Sequence, residues 1–319
     1  MITGGLNMTQ IPRPEHPQPQ MKREHWKNLN GEWDFSFDFG CSGIDQKWQE
    51  GKTDWEKKIL VPFCPESDLS GIGYKDFIPG IWYHRTITLT GEELKGDLLL
   101  HFGAVDYDAR VWINGVEAGR HQGGYVSFTF NITKLVKEGE NDITLFAADD
   151  VRSGKQPKGK QSHFFYSIGC DYTRTTGIWQ TVWLEWVPES YIEKVQYYPN
   201  LAEATLGIKA VVKGQGTLEA KAFYGGEPCG SVSAKSEGGT VTMTLPLSRL
   251  EKWEPGHGRL YDLTLTYGED KVESYFGVRE VRLDGEKFLI NDKSVFQRLV
   301  LDQGFYPDGI YTAPTEEAL

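Results

Sequence analysis

Carboxylates are the side chains of this sequence best suited to chemistry, and their spacing decides what they can do. Adjacent acids occur at Glu92-Glu93, Asp149-Asp150 and Glu316-Glu317. Pairs of this kind read as solvated or helix-start charge rather than as a reacting pair. The seven histidines are dispersed, and Cys41, Cys64, Cys170 and Cys229 are scattered without a Cys-x-x-Cys, so structural zinc is not expected. Gly123-Gly124 lacks the helix and lysine of a phosphate loop, and Asp142 and Asp149 lack the spacing of a calcium loop. What remains is Val151 to Thr176, over twenty residues with no helix or strand period. Such loops in compact domains are usually functional or disordered. The first half, with Lys155, Lys158 and Lys160, reads as mobile, whereas His163-Phe-Phe-Tyr-Ser-Ile-Gly-Cys-Asp-Tyr172 is too aromatic for disorder. That aromatic half contains one acid, Asp171. An ionised carboxylate accepts two hydroxyl groups, at about 1.5–3 kcal/mol per charged hydrogen bond. The alternative is that it caps its own loop or pairs with Arg174.

The elements that must position this loop lie on either side of it. Asp97-Leu-Leu-Leu-His-Phe102 is a short apolar run, and Asn114-Gly115 between β-prone residues signals a hairpin. Tyr125 to Ile132 alternates, with Val126, Phe128, Phe130 and Ile132 on one face; Ile143, Leu145 and Ala147 repeat the period. Leu29-Asn-Gly-Glu-Trp-Asp-Phe-Ser-Phe37, Ile59 to Phe63, Ile81 to Leu89 and Gly177 to Trp186 add further strands. Strands with one apolar face need a second sheet to cover it, so a β-sandwich is expected, its count approaching the eight strands of a jelly roll. Trp33, Trp112 and Trp183 are assigned to the core, and Trp48 and Trp55 to the sandwich edge. From Pro188 to Phe276 short strands recur between Gly- and Ser-rich turns, the texture of an immunoglobulin-like sandwich.

Across 319 residues a second domain is expected, and the net charge of −11 argues against nucleic acid and anionic membrane as partners. Met1 to Gln20 has no signal-peptide pattern and reads as an extended leader; no run reaches transmembrane length, so a cytoplasmic location is expected.

Phe102-Gly-Ala-Val-Asp-Tyr107, Val111-Trp-Ile-Asn-Gly115, Gly123-Gly-Tyr125 and Phe130-Asn-Ile-Thr133, in this order, resemble the amino-terminal sugar-binding domain of glycoside hydrolase family 2. That family includes β-galactosidases, β-glucuronidases and β-mannosidases. The resemblance implies an all-β chain. An extended leader (1–25) precedes a jelly-roll sugar-binding domain (26–187) and an immunoglobulin-like sandwich (188–276), with the start of a (β/α)8 barrel at 277–319. In that barrel start, Ser294 to Leu301 is the buried strand and Pro314-Thr-Glu-Glu317 opens a helix. A full barrel takes about 250 residues.

The family's two catalytic glutamates, one following an asparagine, belong to later barrel strands. This chain has no Asn-Glu pair, so it is expected to carry no catalytic residue and to be inactive alone. The intact protein is implied to be a retaining hydrolase of terminal β-glycosides, β-galactosides first and β-glucuronides or β-mannosides next. A carbohydrate substrate and a homo-oligomeric assembly go with it. Asp171 stands six residues before Gly177, as does the family's aspartate that reaches the sugar's hydroxyl edge, sometimes through an alkali cation. An alkali or divalent cation near Asp171 is the one cofactor implied. Tyr172 offers a ring to sugar C–H groups or packs; Arg174 braces the loop or touches sugar. Tyr74, Asp76 and His163 are placed at the pocket rim. Where many relatives carry Gly-x-Asn-x-His, this chain has Leu299-Val-Leu-Asp-Gln-Gly304, which departs from a galactosidase subsite. The reading from another class is a free-standing carbohydrate-binding or adhesive β-sandwich protein.

Overall fold

A computed structural model of the chain describes residues 11–319, so the first ten residues of the expected leader lie outside the described residues. The chain divides into two compact units, one holding residues 26–186 with 11–17 and 303–319, the other 18–25 with 187–302.

The first unit is a sandwich of two antiparallel sheets. Its strands are β1 (Trp26–Asn28), β2 (Gly31–Phe37), β3 (Lys57–Val61), β4 (Gly80–Leu89), β5 (Asp97–Phe102), β6 (Val105–Asp106), β7 (Asp108–Ile113), β8 (Val116–Gln122), β9 (Phe128–Asn131), β10 (Gly139–Ala148), β11 (Gly177–Ile178) and β12 (Val182–Val187). One sheet runs β1-β12-β5-β9, the other β3-β2-β4-β10-β7-β8, and β6 pairs with β11 alone. Strand β10 is the spine: it pairs with β4 from Gly139↔Leu89 to Ala148↔Gly80 and with β7 on its other side. Its alternation puts Ile143, Leu145 and Ala147 into the core with Trp33, Phe35, Leu100 and Phe102. Phe146, on the opposite face, joins Trp82 and Trp112 in a second cluster, covered by Trp48 and Trp55. Trp33, Trp112 and Trp183 are all buried. Asn114 and Gly115 both take positive φ, 51° and 79°, and turn β7 into β8.

The strand expected at 125–132 is shorter than its alternation suggests. Only Phe128–Asn131 pairs, and Tyr125 and Val126 are exposed. The cause is local: Trp179 Nε1 donates to Gly124 O at 2.7 Å, and a Cβ at Gly124 would lie 2.4 Å from the Asp106 carboxyl carbon. That stretch is tied to the β6–β11 corner instead of extending the ladder.

The second unit is a three-on-four sandwich. Strands β13 (Tyr191–Asn200), β14 (Thr205–Lys213) and β17 (Gly239–Pro246) form one sheet. Strands β15 (Gly216–Tyr224), β16 (Glu227–Ser236), β18 (Tyr261–Tyr267) and β19 (Asp270–Phe276) form the other. Its core comes from the inward half of each period-two pattern, such as Leu206, Ile208 and Ala210 against Leu263 and Leu265. Residues 18–25 are not a solvated leader here. Arg23 is buried, donates to both Asp270 oxygens at 2.8 and 2.9 Å and to Ile192 O at 2.6 Å, and Lys22 pairs with Glu273. A chain that buries a guanidinium must pair it, and Asp270 supplies the charge.

The barrel start is not formed as expected. Strands β20 (Val281–Asp284), β21 (Lys287–Ile290) and β22 (Lys293–Ser294) make a small sheet, but 295–301 forms no strand. Phe296 and Val300 are 86% and 91% exposed. A strand apolar on both faces needs neighbours on both edges, and no described strand pairs with this run. The helix expected at Pro314 is a single 3-10 turn, Glu316–Ala318.

Candidate functional site

Between β10 and β11 the chain leaves the first sandwich for 151–176 and returns. Both ends of this excursion meet at Phe77, whose ring lies 4.2 Å from the Arg152 guanidinium and 4.1 Å from that of Arg174. Arg174 is buried and donates to the carbonyls of Ser162 (3.2 Å), Phe164 (2.7 Å) and Lys75. It thus joins the loop to the 71–79 segment through backbone groups. Within the loop Ser162 N–H donates to Tyr172 O at 2.8 Å and Tyr172 N–H to Lys160 O at 2.7 Å. A turn from Ile168 to Asp171 closes the tip. In the lysine half, Lys155 N–H donates to Ser153 Oγ at 3.2 Å, Gln161 N–H to Lys158 O at 3.1 Å and Lys158 Nζ to Gln161 O at 2.6 Å.

Three buried acids form the socket for the loop. Gln161 is fully buried: its Nε2 donates to Asp106 Oδ2 at 2.7 Å, and its Oε1 accepts Thr175 N–H at 2.9 Å. Gln156 Nε2 donates to Asp149 Oδ1 at 2.7 Å. Thr176 reaches two of the acids, its hydroxyl donating to Asp149 Oδ2 (2.9 Å) and its N–H to Glu66 Oε2 (3.1 Å). Burial pushes the carboxyls of Glu66 and Asp106 up to about 8 and that of Asp149 up to about 6, and the charge of Asp149 adds to the shift at both. Asp149 is therefore not the solvated charge that its pairing with Asp150 suggests; it closes the end of β10 beneath the loop. The sequence carries one signal for this socket, an acid inside the apolar run Ala104-Val-Asp-Tyr107.

Against this sealed base, the expected substrate residues are spread along the outer side. The Asp171 side chain is 24% exposed, its Oδ2 3.2 Å from Lys158 Nζ and 4.0 Å from His163 Nδ1. Its ion-pair partner is Lys158, not Arg174. Tyr172 donates its hydroxyl to Gln303 Oε1 and lies 5.2 Å from the Phe305 ring. Asp76 accepts Phe77 N–H at 2.7 Å, and its charge is felt by Arg174. Tyr74 instead joins Phe37 and Phe39 in an aromatic group at 5.0 and 5.9 Å. The structure thus gathers Asp171, His163 and Tyr172, sets Arg174 and Asp76 behind them, and turns Tyr74 into packing. Lys158 and Gln303 join the group without a sequence signal.

An ammonium already faces the Asp171 carboxylate, and among the described residues no group of three or more His, Cys, Asp or Glu is placed to hold a metal ion. None of the described helices is long and apolar enough to cross a membrane.

Similarity to known proteins can be set against this geometry. The chain is 26% identical over 326 residues to the β-glucuronidase of Felis catus, covering 88% of this chain and 48% of that protein. It is 24% identical over 307 residues to that of Paenibacillus borealis, covering 88% and 49%. The chain spans about half the length of the curated relatives it matches. In fold it is similar to the Ruminococcus gnavus β-glucuronidase in complex with D-glucuronic acid, with a TM-score of 0.78 at 20% identity over 92% of this chain and 52% of that one. The model of the glycosyl hydrolases family 2 sugar binding domain matches residues 26–188, which include both sheets of the first sandwich, the three buried acids and the whole Asp171 loop. The chain belongs to glycoside hydrolase family 2.

Proposed function

We propose that this chain is the non-catalytic amino-terminal part of a retaining glycosidase acting on terminal β-glycosides, in which it supplies one wall of the sugar pocket. The observation that carries the reading is Asp171: a partly exposed carboxylate, six residues before Gly177, on a loop fixed by buried hydrogen bonds. Retaining hydrolysis needs two carboxyl groups about 5–5.5 Å apart with access to substrate. Glu66, Asp106 and Asp149 are gathered but sealed from solvent, so they do not serve as that pair. The reaction is accordingly assigned to a (β/α)8 barrel, in which the apolar run at 294–301, unpaired among the described strands, would become a strand.

Of the three sugars, β-glucuronides take first place. The order that put β-galactosides first is revised, because the relatives matched over most of this chain are named β-glucuronidases. The departure at Leu299 to Gly304 supports the same revision. Assay of the full-length protein on aryl β-glucuronide, β-galactoside and β-mannoside tests this. The expected result is the highest kcat/KM on the glucuronide by at least tenfold; a neutral glycoside in first place would overturn the choice of sugar.

A further inference from the structure

The outer face of the first sandwich carries a cavity of about 630 Å³, walled by the six-stranded sheet and by the segment 48–55. Small-molecule sites occupy roughly 300–1,000 Å³. Its floor comes from three neighbouring strands: His84 of β4 lies opposite Asp34 of β2 and Thr144 of β10. Because β10 alternates, Asp142 and Thr144 turn outward where Ile143 and Leu145 turn into the core. From Asp142 to its end at Ala148 the strand advances about 20 Å, at about 3.3 Å per residue. The cavity therefore stands well away from the start of the 151–176 loop, and no residue of that loop lines it.

Packing accounts for only part of what faces this space. The His84 ring stacks on Trp55, with centroids 5.2 Å and planes 11° apart, and its two nitrogens lie 3.0 Å from Asp34 Oδ2 and 3.0 Å from Asp142 Oδ1. The Asn114-Gly115 turn fixes the rim, where a Cβ on Gly115 would meet Gln49 O at 3.5 Å. Covering the Trp82 cluster explains why Trp48 and Trp55 are partly buried. It does not explain Lys52, whose Nζ lies 4.3 Å from the centre of the Trp48 ring and whose side chain is 7% exposed, although its ion-pair partner Asp54 is 89% exposed. A concealed ammonium costs desolvation, and a polar ligand in the cavity offsets that cost.

Donors and acceptors are both left over. Asp142 takes Thr86 Oγ1 and the His84 nitrogen on Oδ1, leaving Oδ2 open among the described residues. Lys52 donates to Asp54 Oδ1 at 2.9 Å and has two further donors. Gln49 Oε1 is buried and accepts no bond from the described residues. With His84 held between two acids, the balance of Asp34, Glu50 and Asp142 against Lys52 and Lys137 repels an anion, and the Lys52 ammonium opposes a cation. Charged walls disfavour an apolar ligand. A hydroxyl group suits the mixture, since it donates to a carboxylate and accepts from an ammonium, and an indole offers its ring to the C–H face of a pyranose.

We propose that this cavity is a separate saccharide site, which holds a neutral sugar chain between the Trp48 and Trp55 rings, the Lys52 ammonium and the Asp142 carboxylate. It does not depend on Asp171 facing the substrate.

The test is titration of the full-length protein, by tryptophan fluorescence and calorimetry, with cellotriose, xylotriose and mannotriose, and with trigalacturonate as the acidic counterpart. At least one neutral trisaccharide is expected to bind saturably and at least tenfold more tightly than trigalacturonate. Trp55→Ala is expected to weaken that binding at least tenfold, and Asp142→Asn, a change at a half-exposed side chain, at least threefold. Circular dichroism checks both folds, and Asp142→Asn decides the matter if Trp55→Ala has lost its own. Asp171→Ala silences the other pocket: affinity that survives it and falls with the cavity variants belongs to the cavity. Saturation by none of the neutral sugars, tighter binding of trigalacturonate, or affinity that falls with Asp171→Ala and is unchanged in the cavity variants would overturn the proposal.

Discussion

At the scale of single residues, the molecule separates acids that meet the outside from acids that hold the inside. Asp171 is the former; Glu66, Asp106 and Asp149 are the latter. The inner three have pH consequences with a definite sign. Their folded-state values, about 8 for Glu66 and Asp106 and about 6 for Asp149, lie above the ordinary 4.5, 3.8 and 3.8. The folded chain therefore holds protons that the unfolded chain releases. Their contribution is fully present below about pH 4 and is lost as pH rises through 6 to 8. For a domain of this size each 1 kcal/mol lost lowers the melting temperature by about 2–4 °C. Calorimetry should show that fall for the first sandwich between pH 5 and pH 9. Asp106→Asn, which keeps the bond from Gln161 but cannot ionise, should reduce it; a melting temperature that rises with pH over this range would contradict the assignment. This layer was only half legible beforehand. The spacing of Asp171 to Gly177 is local and could be read, whereas Asp149 looked solvated because its partner Thr176 is 27 residues away, and Asp106 meets Gln161 55 residues away.

Elements explain why the loop can be long and still ordered. Its two ends leave from β10 and enter β11, and Arg174 replaces a sheet ladder with three bonds to backbone carbonyls. Arg174→Ala would leave the Ser162 carbonyl unpaired in a buried place, at about 1–3 kcal/mol, and free the half-buried contacts to Phe164 and Lys75. The expected outcome is faster proteolytic cleavage at Lys155, Lys158 and Lys160 with the sheets of the sandwich still folded, and an unchanged cleavage rate would contradict it. Sheet elements were the most legible part of the sequence, because a two-residue apolar period and an Asn-Gly turn are written locally in β10 and the β7–β8 hairpin. The loop was not, since aromatic content says that 163–172 is ordered but not what it lies on. The run at 294–301 shows the opposite failure: its apolar pattern describes a strand buried on both faces, and the described chain supplies no edge for it.

For the whole molecule, two all-β sandwiches each close a core of their own, and the Asp171 loop belongs to the first. The chain spans about half the length of its glucuronidase relatives, and in the function proposed above it shapes one wall of a pocket. That reading depends on Asp171 touching the sugar. The most direct measurement is kcat/KM for an aryl β-glucuronide in the full-length protein carrying Asp171→Ala, with circular dichroism confirming the fold. Loss of a charged hydrogen-bonding group at the substrate, about 1.5–3 kcal/mol per bond, predicts a fall of about tenfold to a hundredfold or more; a fall of less than threefold would contradict the account.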